Sequence, residues 1–208
     1  MSQDAFDEGL AALKSDLLRP EGPSITNMSE YRFAVLPYKP TKEFYVRKQV
    51  REVSDDLKSK GWQVFELPVN KLLLKRLRSA PQEELNSWIS REKRLVAKGR
   101  KERALRTAID NLEYLIEGQN GIAKDAIEEI HRLADVNQVD TEKTLVWITR
   151  MGSLYPFFRT STLLKHLDGN TRRIPVVVLY PGRRVDKTAL SFMDETDADR
   201  DYRPRIYP

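Results

Sequence analysis

The chain has 208 residues, 36 of them basic and 31 acidic, a formal charge of +5 and no cysteine. That length suits one domain with appendages, able to bury roughly 70% of the surface its unfolded chain exposes, and the missing cysteines exclude disulfides and thiolate metal sites. No apolar run approaches the roughly 20 residues of a membrane helix, and the first residues are acidic and amphipathic where a signal peptide would be basic and then apolar, so a soluble cytoplasmic protein is predicted.

In chain order, Phe6, Leu10, Leu13 and Leu17 recur at helical spacing and predict a helix over residues 5–18 with Asp4 as its N-cap. Residues 20–29 read as a loop, and Tyr31–Leu36 as a strand ended by Pro37 and Pro40. Val46, Val50, Val53 and Leu57 mark a helix over Glu43–Ser59 that stops at Gly61 and crosses to a strand over Gln63–Leu67. Asn70 is placed to cap a short helix containing Leu72–Leu77, and Pro81 opens a long one. From Glu83 to Glu117 the apolar positions Leu85, Trp88, Ile89, Leu95, Val96, Leu105, Ile109, Leu112, Leu115 and Ile116 hold the helical period, with Gly99 a weak point costing about 1 kcal/mol relative to alanine. A partner helix, Ile122–Asp135, follows a Gly118–Gly121 turn, so the two are expected to form an antiparallel hairpin.

Leu145–Ile148 and Ile174–Tyr180 are continuous apolar runs, the pattern of parallel strands covered on both faces. Between them, Thr160 or Ser161 can cap a helix over Thr162–Leu167, and Leu190–Phe192 reads as a short final strand. The expected fold class is α/β: a mostly parallel sheet of four or five strands with helices on both faces, in one domain over residues 1–208 with an inserted helical hairpin arm at about 79–137.

Motifs for chemistry are missing. Neither GxxxxGK[ST] nor GxGxxG occurs, so the chain is expected neither to bind ATP tightly nor to hydrolyse it, although the layout is like that of NTPase folds without their phosphate loop. His131 and His166 lack companions at metal or triad spacing, and no GxSxG elbow surrounds Ser153 or Ser161. Asp197, Asp199 and Asp201 match the start of a calcium loop, but Tyr202 and Pro208 stand where its glycine and glutamate are needed. No catalytic residue, metal site or cofactor is assigned, and the chain is read as a non-enzyme.

Two segments are candidate contact surfaces. Residues 91–106 hold eight Lys/Arg against two acids, a surplus larger than that of the whole chain, and on a continuous helix Arg91, Arg94, Lys98 and Lys101 would line one face that is either simply solvated or meets nucleic acid or an acidic partner. The loop 150–161 leaves the carboxyl end of a predicted parallel strand; Tyr155, Phe157 and Phe158 are protein-binding candidates or core plugs, and Arg150 and Arg159 candidates for bidentate contacts.

The segments GSLYPFFRTSTLL (152–164), IPVVVLYPG (174–182), LSF (190–192) and YRPRIYP (202–208) resemble the BrxB family, the B component of BREX bacteriophage-defence systems. The resemblance is good over 144–208 and extends upstream to the strand ending in Pro37-Tyr38 and the apolar segment 62–74. It implies a small non-catalytic subunit, encoded beside a phosphatase-fold component (PglZ), a large ATPase and a DNA methyltransferase. On this reading the chain is an adaptor that positions PglZ relative to the ATPase and methyltransferase. Two other readings stay open: a subunit touching DNA weakly and non-specifically through the basic helix 91–106, and an enzyme with an unrecognised phosphoryl site near Arg150 and Arg159.

Overall fold

A computed structural model describes residues 3–25, 32–117, 120–158, 160–167, 169–186, 189–195 and 204–208. Helix α1 (Gln3–Leu17) precedes strand β1 (Phe33–Tyr38), and α2 (Glu43–Ser59) leads to β2 (Gln63–Pro68). Four helices follow, α3 (Val69–Ser79), α4 (Gln82–Ala97), α5 (Lys101–Ile116) and α6 (Ile122–Asn137), before β3 (Thr144–Thr149), α7 (Thr160–Leu167), β4 (Val176–Asp186), β5 (Ala189–Phe192) and β6 (Arg205–Ile206). The fold is α/β: five strands run parallel in the order β2-β3-β4-β1-β6, and β5 adds antiparallel to the far half of β4.

The order explains the layers. From β1 the chain crosses past β4 and β3 to the far edge, then steps back through β2, β3 and β4. Parallel crossovers keep one hand, so reversing the direction of travel changes the face that the connecting helices cover. Accordingly α1 and α2 cover one face, over Ala34, Leu36, Leu145, Trp147, Val177 and Leu179, while α3, α6 and α7 cover the other, over Phe33, Val35, Val146, Ile148, Val176 and Val178. The unbroken apolar runs of β1, β3 and β4 are this alternation with both sides buried.

Several sequence expectations change. Asp4 lies inside α1, which includes Gln3, and Thr160 and Ser161 lie inside α7, so none of the three stands at the N-cap position expected for it. Strand β1 runs through Pro37 to Tyr38, because Pro37 has the parity of Val35, whose carbonyl accepts from Tyr207 N–H, so its missing N–H faces the side where the β6 ladder has ended. Asn70 is not a cap: α3 begins at Val69, and its N-cap position is held by Pro68. The largest change is in the arm. The long helix breaks at Gly99 (φ +71), and α4 and α5 pair with each other; α6 instead buries Ile122, Ala123, Ala126 and Ile130 against the sheet. The bonds Gly99 N–H to Val96 O and Arg100 N–H to Leu95 O form the paired glycine stop of a helix end.

Two buried tyrosines tie elements together. Tyr38 donates to Glu43 across the β1–α2 turn, and Tyr207 donates to Asp16 of α1 at 3.0 Å. Burial is the main cause that pushes both hydroxyls well above the usual phenol range; the neighbouring carboxylate adds to it in each, and Arg150 at Tyr38 and Arg205 at Tyr207 oppose it. The folded protein therefore holds protons that the unfolded chain, titrating near 10.0, releases. Their contribution is complete below pH 10 and should be lost as pH rises above it, by about 1.4 kcal/mol per pH unit for each tyrosine. Urea unfolding at about pH 8, 10 and 11 measures this; a midpoint that does not move across the series would contradict it.

Among the described residues no helix is long and apolar enough to cross a membrane, and no group of three or more His, Cys, Asp or Glu stands together as a metal site. Asp197, Asp199 and Asp201 lie outside the described residues.

Candidate functional site

The loop after β1 turns to the α1/α2 face, whereas those after β2 and β3 turn to the other. This divergence at the carboxyl edge is where open α/β sheets place ligands. Here it opens a cavity of about 580 Å³ between α2 and the ends of β2 and β3, within the range of small-molecule sites. Its apolar lining includes Val50, Val64, Trp147 and Leu179; the Trp147 indole N–H donates to Ser54 Oγ at 3.0 Å, and the Ser54 hydroxyl to Val50 O at 2.6 Å.

Five cations line the cavity, Arg47, Arg51, Lys58, Lys71 and Arg150, against the carboxylates of Asp55 and Glu66. Lys58 lies 3.8 Å from Asp55, and Glu66 accepts from Thr149 Oγ1 at 2.7 Å. Arg150 stands at the end of β3 in a left-handed conformation (φ +65), an uncommon one for a non-glycine residue, with its guanidinium 3.7 Å from Glu43. The β1–α2 connection, the position of phosphate loops in nucleotide-binding α/β folds, is a 3-10 turn over Pro40–Lys42 without glycine.

Beyond Arg150 the aromatics turn inward. Phe158 is enclosed in the core, which removes it from any surface a partner could reach, and Leu154 is buried beside it. Tyr155 and Phe157 are half-buried; Tyr155 packs on Phe192 with ring centroids 6.1 Å apart and donates to Glu195 at 2.7 Å. Phe158 is thus a core plug, while Tyr155 and Phe157 keep part of their surface exposed, as does the Arg150 side chain at 33%. Arg159 lies outside the described residues. His131 Nε2 lies 2.9 Å from the Asn170 carbonyl, an ordinary helix-to-loop contact.

The basic segment has a different geometry from a single helical face. Arg91, Lys93 and Arg94 lie on α4, Lys98 is its C-cap, Arg100 is in the turn, and Lys101, Arg103 and Arg106 are on α5. The row Arg91, Arg94, Lys98, Lys101 is thus folded around the end of a helical hairpin. All eight cations are exposed, and none forms an ion pair among the described residues. No residue of α4 is buried, and the arm also exposes Ile89, Val96, Leu105 and Tyr114, the last at 83%.

The family model for BREX protein BrxB matches residues 66–206 of the 208. The chain belongs to the BrxB family. It is therefore a component of a BREX phage-defence system, which makes other BREX components its natural partners. No curated protein and no solved structure matches the chain. The span matching BrxB contains the whole basic arm, β3 with Arg150, and the α3 wall of the cavity, while α1, β1 and α2 precede it.

Sequence reasoning missed Arg76 in this BrxB-family chain. Its guanidinium holds the base of the arm, bonding Asp125 of α6 through Nε and Nη2, the Leu115 carbonyl at 3.0 Å, the Gly121 carbonyl at 2.7 Å and the Asn120 carbonyl. Nothing in its neighbourhood, KLLLKRLRS, separates it from the lysines and arginines beside it. Its partners lie 39 to 49 positions away.

Proposed function

We propose that the chain is a non-catalytic interaction subunit of its BREX complex, one that positions the phosphatase-fold component PglZ relative to the ATPase and methyltransferase. The observation that carries this reading is the α4–α5 arm. It sets exposed aliphatic side chains, Ile89, Val96 and Leu105, beside eight exposed cations that form no ion pair among the described residues. A partner with an acidic and partly apolar protein surface satisfies both features, since apolar area in an interface core and charge at its rim are what protein partners offer. Support for the non-catalytic part comes from the glycine-free β1–α2 turn and the absence of any catalytic motif in the sequence.

The uncompensated tip favours one further reading, contact with a DNA backbone, and one experiment separates the two. Arg91, Arg94, Lys98 and Lys101 are reversed to glutamate in the native operon, and the chain is purified with its partners. The fold should survive, with changes within about 0.5 kcal/mol per site, and recovery of PglZ should fall about tenfold or more, a loss of roughly 1.4 kcal/mol. Undiminished recovery of PglZ would remove the arm from the interface. Weaker binding of random duplex instead, with the salt slope shrinking by about one for each phosphate no longer neutralised, would establish the DNA reading.

A further inference from the structure

The cavity at the carboxyl edge carries an inference independent of the arm. Of its five cations, Lys58 and Arg150 have carboxylate partners; Arg47 lies over the Phe44 ring at 5.9 Å, and neither it nor Arg51 nor Lys71 forms an ion pair among the described residues. Like charges gathered around a concavity with low-dielectric walls focus a positive potential into it. Asn70 supplies a second observation. It lines the same cavity from the first turn of α3, and its Oδ1 is buried with no hydrogen-bond partner among the described residues. A buried acceptor without a donor is costly, and such groups in native structures point to an absent water, ion or ligand. Val50, Trp147 and Leu179 add an apolar wall.

We propose that this cleft binds a small phosphate-bearing molecule with an apolar or aromatic body. Its phosphoryl group would meet Arg51, Lys71 and Arg150, its body would lie on Val50, Trp147 and Leu179, and an N–H or O–H of the ligand would donate to Asn70 Oδ1. Phosphate fits better than a single carboxylate because five cations against two carboxylates call for more than one negative charge, and guanidinium groups match its oxygens bidentately. The concavity distinguishes it from a nucleic-acid duplex, whose backbone would lie across the rim and leave the Asn70 acceptor unmet. The proposal is one of binding and includes no bond cleavage.

The test is calorimetric titration of the full chain at low ionic strength with inorganic phosphate, with AMP, and with a random DNA duplex and a polyglutamate peptide as competitors. AMP should bind saturably and more tightly than inorganic phosphate. The pair Arg51→Gln and Lys71→Gln, both exposed, should weaken both probes about tenfold or more without moving the thermal midpoint. Asn70→Ala should weaken AMP relative to inorganic phosphate. No saturable binding of either probe, or binding that the double substitution leaves unchanged, would overturn the proposal. So would binding of duplex or polyglutamate in the cleft that AMP does not displace, which would make it a face for a macromolecule.

Discussion

Replacing Arg76 with alanine is expected to cost about 3 kcal/mol or more and to loosen the α4–α5 arm from the body. The side chains of Arg76 and Asp125 are only 19% and 17% exposed, so their charges are largely withdrawn from water. Removing the guanidinium leaves Asp125 without its counter-charge and takes a charged donor from the carbonyls of Leu115 and Gly121, where α5 ends and α6 begins. Breaking a buried pair from one side is far more costly than the net worth of the pair, because the remaining charge stays desolvated. Lysine should recover little of the loss, since a point charge with three donors cannot hold acceptors spread over α5, α6 and the turn between them. Urea unfolding gives the free energy, and hydrogen exchange at residues 113–125 gives its location. A change below about 0.5 kcal/mol, the size expected at an ordinary surface position, would show that this clamp is not what fixes the arm.

The second large effect is expected at Asp16, which is 3% exposed on α1. Its carboxylate accepts from Tyr207 Oη at 3.0 Å, pairs with Arg205 at 2.8 Å and bonds Arg19. Arg205 also lies 4.6 Å from the Tyr207 ring centroid. Asp16→Ala removes the acceptor common to all three groups, and a loss of about 3 kcal/mol is expected, moderated because the Arg205 side chain keeps 31% exposure and can rehydrate in part. The buried Tyr207 hydroxyl cannot, so Tyr207→Phe made on top of Asp16→Ala should cost less than Tyr207→Phe alone. The unfolding midpoint and proteolysis of residues 204–208 read out the docking of the tail on α1. Additive effects of the two substitutions would mean that they do not act through one contact.

Gly61 and Gly99 show how one signal can be read in two ways. Both have positive φ, +82 and +71, and both are followed by the same pair of capping bonds: Gly61 to Lys58 with Trp62 to Leu57, and Gly99 to Val96 with Arg100 to Leu95. The first reads readily as a stop because Gln63–Leu67 after it changes to strand-like composition. At Gly99 the helical period resumes within a turn, so the break is invisible to periodicity alone. The available signal was the placement of Lys93, Arg94 and Lys98 before a glycine, cations at a helix end followed by the residue that tolerates αL. Reading it would have paired α4 with α5, folded the basic row around a tip, and left α6 for the sheet.

By itself the sequence determined the α/β class, the buried parallel strands, the absence of a phosphate loop and, through 152–164 and 174–182, the family. Each of these is carried by local composition or by consecutive residues. Only the tertiary structure decided what depends on partners far apart in the chain. It folded Phe158 into the core and laid Tyr155 and Phe157 half-buried against it, since the faces of Phe192 and the sheet that receive them come from elsewhere in the chain. It assigned Arg76 and Asp16 their roles through contacts as distant as 191 positions. It also gathered Arg47, Arg51, Lys71 and Arg150 around one cavity, because reversing the direction of the crossovers sends α2 and α3 to opposite faces and leaves a cleft at the carboxyl edge between them.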